Sequence, residues 1–192
     1  MRKLSILSYI FAGLMLSSCD GYLKEDPRDQ LYPEDAYDTP QNVYLNTVAS
    51  LYNYIGGYSD SQGLQGTYRG VYDLNTFTTD EAMLPTRGGD WYDGGFWQGL
   101  FLHKWGTNSD AIQATWEYLY KVIVLSNQSL EILGELRQKT DYNDLDRYEA
   151  EVRAFRAMYY YYLVDMFGRV PLIVWFVPTM AMALAATVVN RK

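Results

Sequence analysis

Between Pro85 and Leu100 the chain reads PTRGGDWYDGGFWQGL, a run that holds Arg87, Asp90, Trp91, Tyr92, Asp93, Phe96 and Trp97. Flat aromatic rings offer stacking faces, and guanidinium, carboxylate and phenol groups add donors and acceptors. The mixture therefore suits a ligand with apolar C–H faces ringed by hydroxyls. Carbohydrate has that chemistry, and Arg87, Asp90, Trp91, Tyr92 and Trp97 are the candidate contacts. The glycine pairs 88–89 and 94–95 permit backbone shapes that turn rings outward. The same composition also suits rings folded beneath the loop as a local core, and spacing does not choose between the two for either Trp.

Other chemistries have less to work with. Asp80, Glu81, Asp90 and Asp93 are the carboxylates a glycosidase would need, but such an enzyme places two of them about 5–9 Å apart across a bond, which sequence spacing does not reveal. His103, in FLHKW, is the only histidine, so no second imidazole is at hand for a metal site, and a surface or half-buried role is expected. Cys19 is the only cysteine, which excludes an intramolecular disulfide and a cysteine-based zinc or redox motif.

The body that must position these groups has 192 residues, 48% of them apolar, enough for one domain with a real core. A formal charge of −7, with Lys and Arg scattered, leaves no electrostatic footprint for a phosphate backbone, so nucleic acid is not an expected partner. The 19 tyrosines are expected mainly to fill helix interfaces.

The N-terminus, MRKLSILSYIFAGLMLSSC, has two basic residues, an apolar run from Leu4 to Leu16 and a small-residue end, the layout of an export signal over residues 1–18. Leu16-Ser17-Ser18-Cys19 resembles the bacterial lipobox, in which the Cys thiol is joined to a diacylglycerol and becomes the new N-terminus. The apolar run is shorter than the roughly 20 residues of a spanning helix. Lipidation of Cys19 would tether the body to a membrane without crossing it. Residues 19–38, beginning CDGYLKEDPRDQ, read as the lipidated Cys and an exposed tether.

Three helices are legible. Thr39 can cap the first and Pro40 fits its first position, with Val43, Thr47, Val48, Leu51 and Ile55 on one face and Gly56-Gly57 as the stop. From Gly56 to about Thr107 no period is sustained, and a long loop region is expected. A second helix starts near Asn108 or Ser109 and runs to about Lys139. Its stripe of Trp116, Leu119, Tyr120, Ile123, Leu130 and Leu133 or Leu136 holds one polar member, Asn127, expected to tie neighbouring backbone. The third starts after Asn143, buries Tyr148, Val152, Phe155, Tyr159 and Tyr162, and stops at Gly168. Glu149 and Arg153 are four apart and can pair, while Arg156 is free to reach a carboxylate or carbonyl elsewhere. The two long helices, joined by KTDYND, make an antiparallel hairpin, the unit of tetratricopeptide-like arrays.

YLKEDP after the lipobox, TFTTDEAMLPTRGGDWYDGGFW, WEYLYKVIVLSNQSLEIL and above all YEAEVRAFRAMYYYYLVDMFGRVPLI together resemble the N-terminal part of the SusD/RagB family, over about Cys19 to Ile173. These are glycan-binding surface lipoproteins of Bacteroidetes. The resemblance implies a mainly all-α fold of tetratricopeptide-like hairpins with long irregular loops. It also implies a non-enzymatic role: capture of oligosaccharide at the outer membrane and delivery to a SusC-like TonB-dependent transporter. No cofactor or metal is implied. Two other classes remain open at this stage, a helical protein-docking module without sugar binding and a glycoside hydrolase.

The body of the family is expected over residues 39–173. From Val170 to Asn190 the sequence is uncharged, but Pro178 interrupts it, which makes a spanning helix marginal. Composition shifts there, and residues 174–192 read as an aberrant or frameshifted apolar tail that leaves a fragment of the family domain.

Overall fold

The computed structural model describes residues 35–56, 63–64 and 70–175. The chain divides into two compact units, Met1–Ala36 and Tyr37–Lys192, and the account below is of the second. The signal, Cys19, most of the tether and residues 176–192 lie outside the described residues.

Helix α1 begins at Pro40, and the Thr39 hydroxyl accepts from the Asn42 N–H at 3.2 Å, so cap and first position are those the sequence predicts. It runs as Pro40–Tyr44, a wider π-type turn over Leu45–Ala49, and Ser50–Tyr52. In the turn the Thr47 hydroxyl donates back to the Val43 carbonyl at 2.6 Å, a local bond that loosens helical geometry. Val43, Thr47, Val48 and Leu51 are buried.

Two short helices, α2 (Val71–Phe77) and α3 (Phe96–Phe101), interrupt the region expected to be loop. Neither is long enough to establish a period. Helices α4 (Asp110–Lys139) and α5 (Leu145–Phe167) form the expected hairpin, and α5 ends at Gly168 with φ 74°, a left-handed value that favours glycine. The buried stripe of α5 is Tyr148, Val152, Phe155, Tyr159 and Leu163; Tyr162 is half-buried, one position off.

Helix α1 lies across α4 and α5 and closes a three-helix core. Tyr52 meets Phe155 edge-on at 4.5 Å, Tyr44 tilts against Tyr148 at 5.3 Å, and the buried Ser129 hydroxyl donates to the Thr47 carbonyl at 2.9 Å. Each large apolar side chain taken from water contributes about 1.5–3 kcal/mol, and the tyrosines join only because their hydroxyls find partners. Tyr118 donates to the Tyr54 carbonyl and lies 2.9 Å from the Tyr159 hydroxyl.

Beyond Gly168 the chain turns back along the hairpin, held by side chains rather than by a second strand. Tyr120 donates to the Pro171 carbonyl at 2.8 Å, and the Tyr160 hydroxyl accepts from the Ile173 N–H at 2.6 Å. Asn127 Nδ2 donates to the Ile173 and Trp175 carbonyls at 3.1 and 3.2 Å, while Arg156 donates to Asn127 Oδ1 at 2.7 Å. The sequence expectations for both residues hold. Among the described residues there is no strand, and no helix is long and apolar enough to cross a membrane.

Candidate functional site

A second, smaller core supports the loop that carries the candidate residues. Leu74 of α2, Trp97 and Leu100 of α3 and Ala111 of α4 are buried together, with Phe77, Leu84, Phe96, Ile112 and Met166 packed around them. Trp97 is its hub: the rings of Phe77 and Phe96 meet it edge-on at 5.1 and 5.0 Å. The Gln98 amide donates to the Leu84 carbonyl at 3.2 Å and fixes the loop on this base.

From that base the chain rises into a two-residue turn. Arg87 N–H donates to the Asp90 carbonyl at 3.3 Å and Asp90 N–H to the Arg87 carbonyl at 3.1 Å, which leaves Gly88 and Gly89 at the tip. Gly88 has φ +64° and nothing within 4 Å of where a Cβ would stand, so its backbone angle, not crowding, calls for glycine. Trp91 (φ 59°) and Asp93 (φ 44°) also adopt left-handed angles, which cost a non-glycine residue about 1 kcal/mol or more and are concentrated at functional loops.

Both rings of the segment stand outward, Tyr92 on ordinary right-handed backbone. Trp91 is 59% exposed and Tyr92 57%, and Trp91 stands edge-on over Trp97 with centroids 6.5 Å apart. Arg87 and Asp90 are exposed on either side of the turn. Four of the five candidate contacts therefore share one projecting hairpin. Trp97 does not: at 3% exposed it is the floor beneath Trp91, because its bulk is the main apolar filling of the small core.

Beside the hairpin lies a cleft of about 410 Å³, within the range that takes a small ligand. Gly94, Gly95 and Gly99 line it on one side, and Lys104, Trp105 and Asn108 on the other. Trp105 is 45% exposed, and its neighbour His103 (φ 55°) donates from Nε2 to the Thr78 carbonyl at 2.7 Å, which ties the segment to the end of α2. The sequence does not single out Trp105, Lys104 or Asn108 as contacts, because FLHKW draws notice for its histidine and Asn108 as a helix start; a Trp beside Gly and Asn hints at a contact but not at the cleft. Asp80, Glu81, Asp90 and Asp93 are all exposed. Among the described residues no grouping of His, Cys, Asp or Glu could hold a metal ion.

A model of the SusD-like family, described as starch-binding and associating with the outer membrane, matches residues 34–190. The chain belongs to the SusD-like family. The match takes in the ring-bearing hairpin, the cleft and the helical hairpin, and it continues through the apolar stretch from residue 174. The chain is also similar to SusD-like protein P25 of Formosa agariphila, at 26% identity over 175 residues, which is 89% of this chain and 31% of the relative. It thus spans about a third of the length of that relative. No solved structure matches the chain. The all-α architecture with a long α4–α5 hairpin is the SusD-like fold the sequence leads one to expect.

Proposed function

We propose that this SusD-like chain binds glycan on the projecting hairpin and the cleft beside it, and that it captures oligosaccharide for a SusC-like TonB-dependent transporter. The observation that carries the reading is the Trp91–Tyr92 pair, two exposed rings, the first on left-handed backbone and seated over a buried Trp97. Exposed rings so fixed lose little entropy on binding and offer faces to sugar C–H groups. Arg87 and Asp90 at the turn, and Lys104 and Asn108 in the cleft, supply donors and acceptors for hydroxyls. Trp105 gives a second stacking face across the glycine-lined floor. The role is binding without catalysis.

The family description places such proteins at the outer membrane. In our reading residues 1–18 direct export, diacylglycerol on Cys19 anchors the chain in that membrane, and residues 19–38 let the body face outward. Metabolic labelling with a palmitate analogue tests the anchor, with Cys19→Ala expected to abolish incorporation.

Affinity electrophoresis through gels containing starch and a panel of other polysaccharides tests the main reading. Retardation by at least one, reduced in both Trp91→Ala and Trp105→Ala, is expected. Free migration in every gel, with the helices intact by circular dichroism, would leave a protein-docking module as the better description. Sustained release of reducing ends would make the chain an enzyme.

A further inference from the structure

We infer that the cleft opens past Trp105 into an apolar niche that receives an acetyl substituent of the bound glycan, so that the preferred ligand is an acetylated oligosaccharide. This rests on the glycan reading above. The niche measures about 200 Å³ and is walled by Ile112, Met166 and Phe167, with Asn75 and Thr78 at its polar edge. Trp105 and Leu100 line both the niche and the cleft, which sets the two side by side around one indole.

Size and polar capacity select the occupant. The volume falls below the roughly 300–1,000 Å³ of sites that enclose a whole small ligand, which points to a side group. A pyranose ring buried there would bring several hydroxyls, each costing about 1–3 kcal/mol if left unpaired. Thr78 offers them little: its hydroxyl already donates to the Leu74 carbonyl at 2.6 Å, and its own carbonyl accepts from His103. Among the described residues no cation lines the niche, which disfavours a carboxylate or sulfate. An acetyl group has one methyl for the apolar wall and one carbonyl acceptor, with no ester donor to satisfy. The exposed Asn75 amide stands at the edge where that carbonyl would lie.

The test is isothermal titration with matched probes: acetylated xylo- and manno-oligosaccharides before and after alkaline de-esterification, and chitotetraose against cellotetraose. In at least one pair the acetylated member should bind about tenfold tighter, the combined effect of one buried methyl and one hydrogen bond. Ile112→Trp, which fills the niche, should remove the preference, with circular dichroism confirming that the helices are intact. Asn75→Ala, at an exposed position that does not threaten folding, should reduce the preference about threefold. Equal or tighter binding of every unacetylated partner overturns the niche and leaves the glycan reading standing. A preference that survives both variants overturns it too, since the acetyl would then be read elsewhere. Absence of binding by every probe overturns the acetyl niche, and the glycan reading is then decided by the gels containing starch and the other polysaccharides.

Discussion

The exposed indole of Trp91 rests edge-on against the buried indole of Trp97, 6.5 Å centroid to centroid, so one tryptophan is the platform and the other its foundation. The two should respond differently to truncation. Trp97→Ala empties the centre of the small core and is expected to cost about 3–5 kcal/mol of stability in urea denaturation. Trp91→Ala should change stability by less than about 1 kcal/mol and weaken glycan binding roughly five- to tenfold, the value of one stacking contact. Equal destabilisation by both would mean that Trp91 is part of the core.

Asn127 and Arg156 form a second unit, and its product is the course of residues 171–175. Asn127→Ala removes the amide that donates to the Ile173 and Trp175 carbonyls and leaves Arg156 without its closest acceptor. A cost of about 1–2 kcal/mol is expected, since Trp175 is exposed, Arg156 is half-buried and the Tyr160 hydroxyl still donates to the Ile173 carbonyl. Arg156→Ala should cost less, and the double variant should fall short of the sum by about 0.5–3 kcal/mol. Strict additivity in denaturant titrations would show that the two residues act separately.

These two pairs also mark what the sequence discloses. Asn127 was legible because a single polar residue in an apolar stripe must find a partner, and Thr39-Pro40 and Gly168 because capping chemistry is local. The long hairpin followed from period alone. Trp91 and Trp97 were not separable, since the loop has no period and the choice between surface and core is made by Leu74, Phe77 and Ala111, which approach Trp97 from two other helices. Trp105 was missed for the same reason: its value lies in a cleft shared with Gly94 and Gly95, and sequence proximity does not reveal a cleft.

Glu149 carries an acid-sensitive part of the hairpin's stability. Its carboxylate accepts from Arg153 Nε at 2.9 Å and from Arg137 at 2.6 Å, and the bond to Arg153 is the main cause that holds its pKa below the usual value. A depressed folded pKa contributes stability above the unfolded value of about 4.3, and that stability is lost as pH falls through the folded one. Glu149→Gln should therefore cost about 0.5–1 kcal/mol at neutral pH, small because both arginines are half exposed. The difference from the parent should close as pH falls through the depressed folded pKa. A gap that persists in acid would assign the loss to packing.

At the alkaline end the buried tyrosine pair should act in the opposite sense. Burial pushes the Tyr159 hydroxyl up to about 12, and burial together with the bond to Tyr159 raises Tyr118 further. Phenols whose folded pKa lies above the unfolded value of about 10 contribute stability that is complete below that value and is lost as pH rises through the folded one. Titration by phenolate absorbance should show a late class of tyrosines, released together with the loss of helical circular dichroism. Tyr159→Phe leaves Tyr118 still donating to the Tyr54 carbonyl, so it should cost about 1 kcal/mol or less; Tyr118→Phe removes both of that hydroxyl's hydrogen bonds and should cost about 1–2 kcal/mol. Ionisation of all tyrosines as one class near 10, with the helices intact, would show that water reaches the pair.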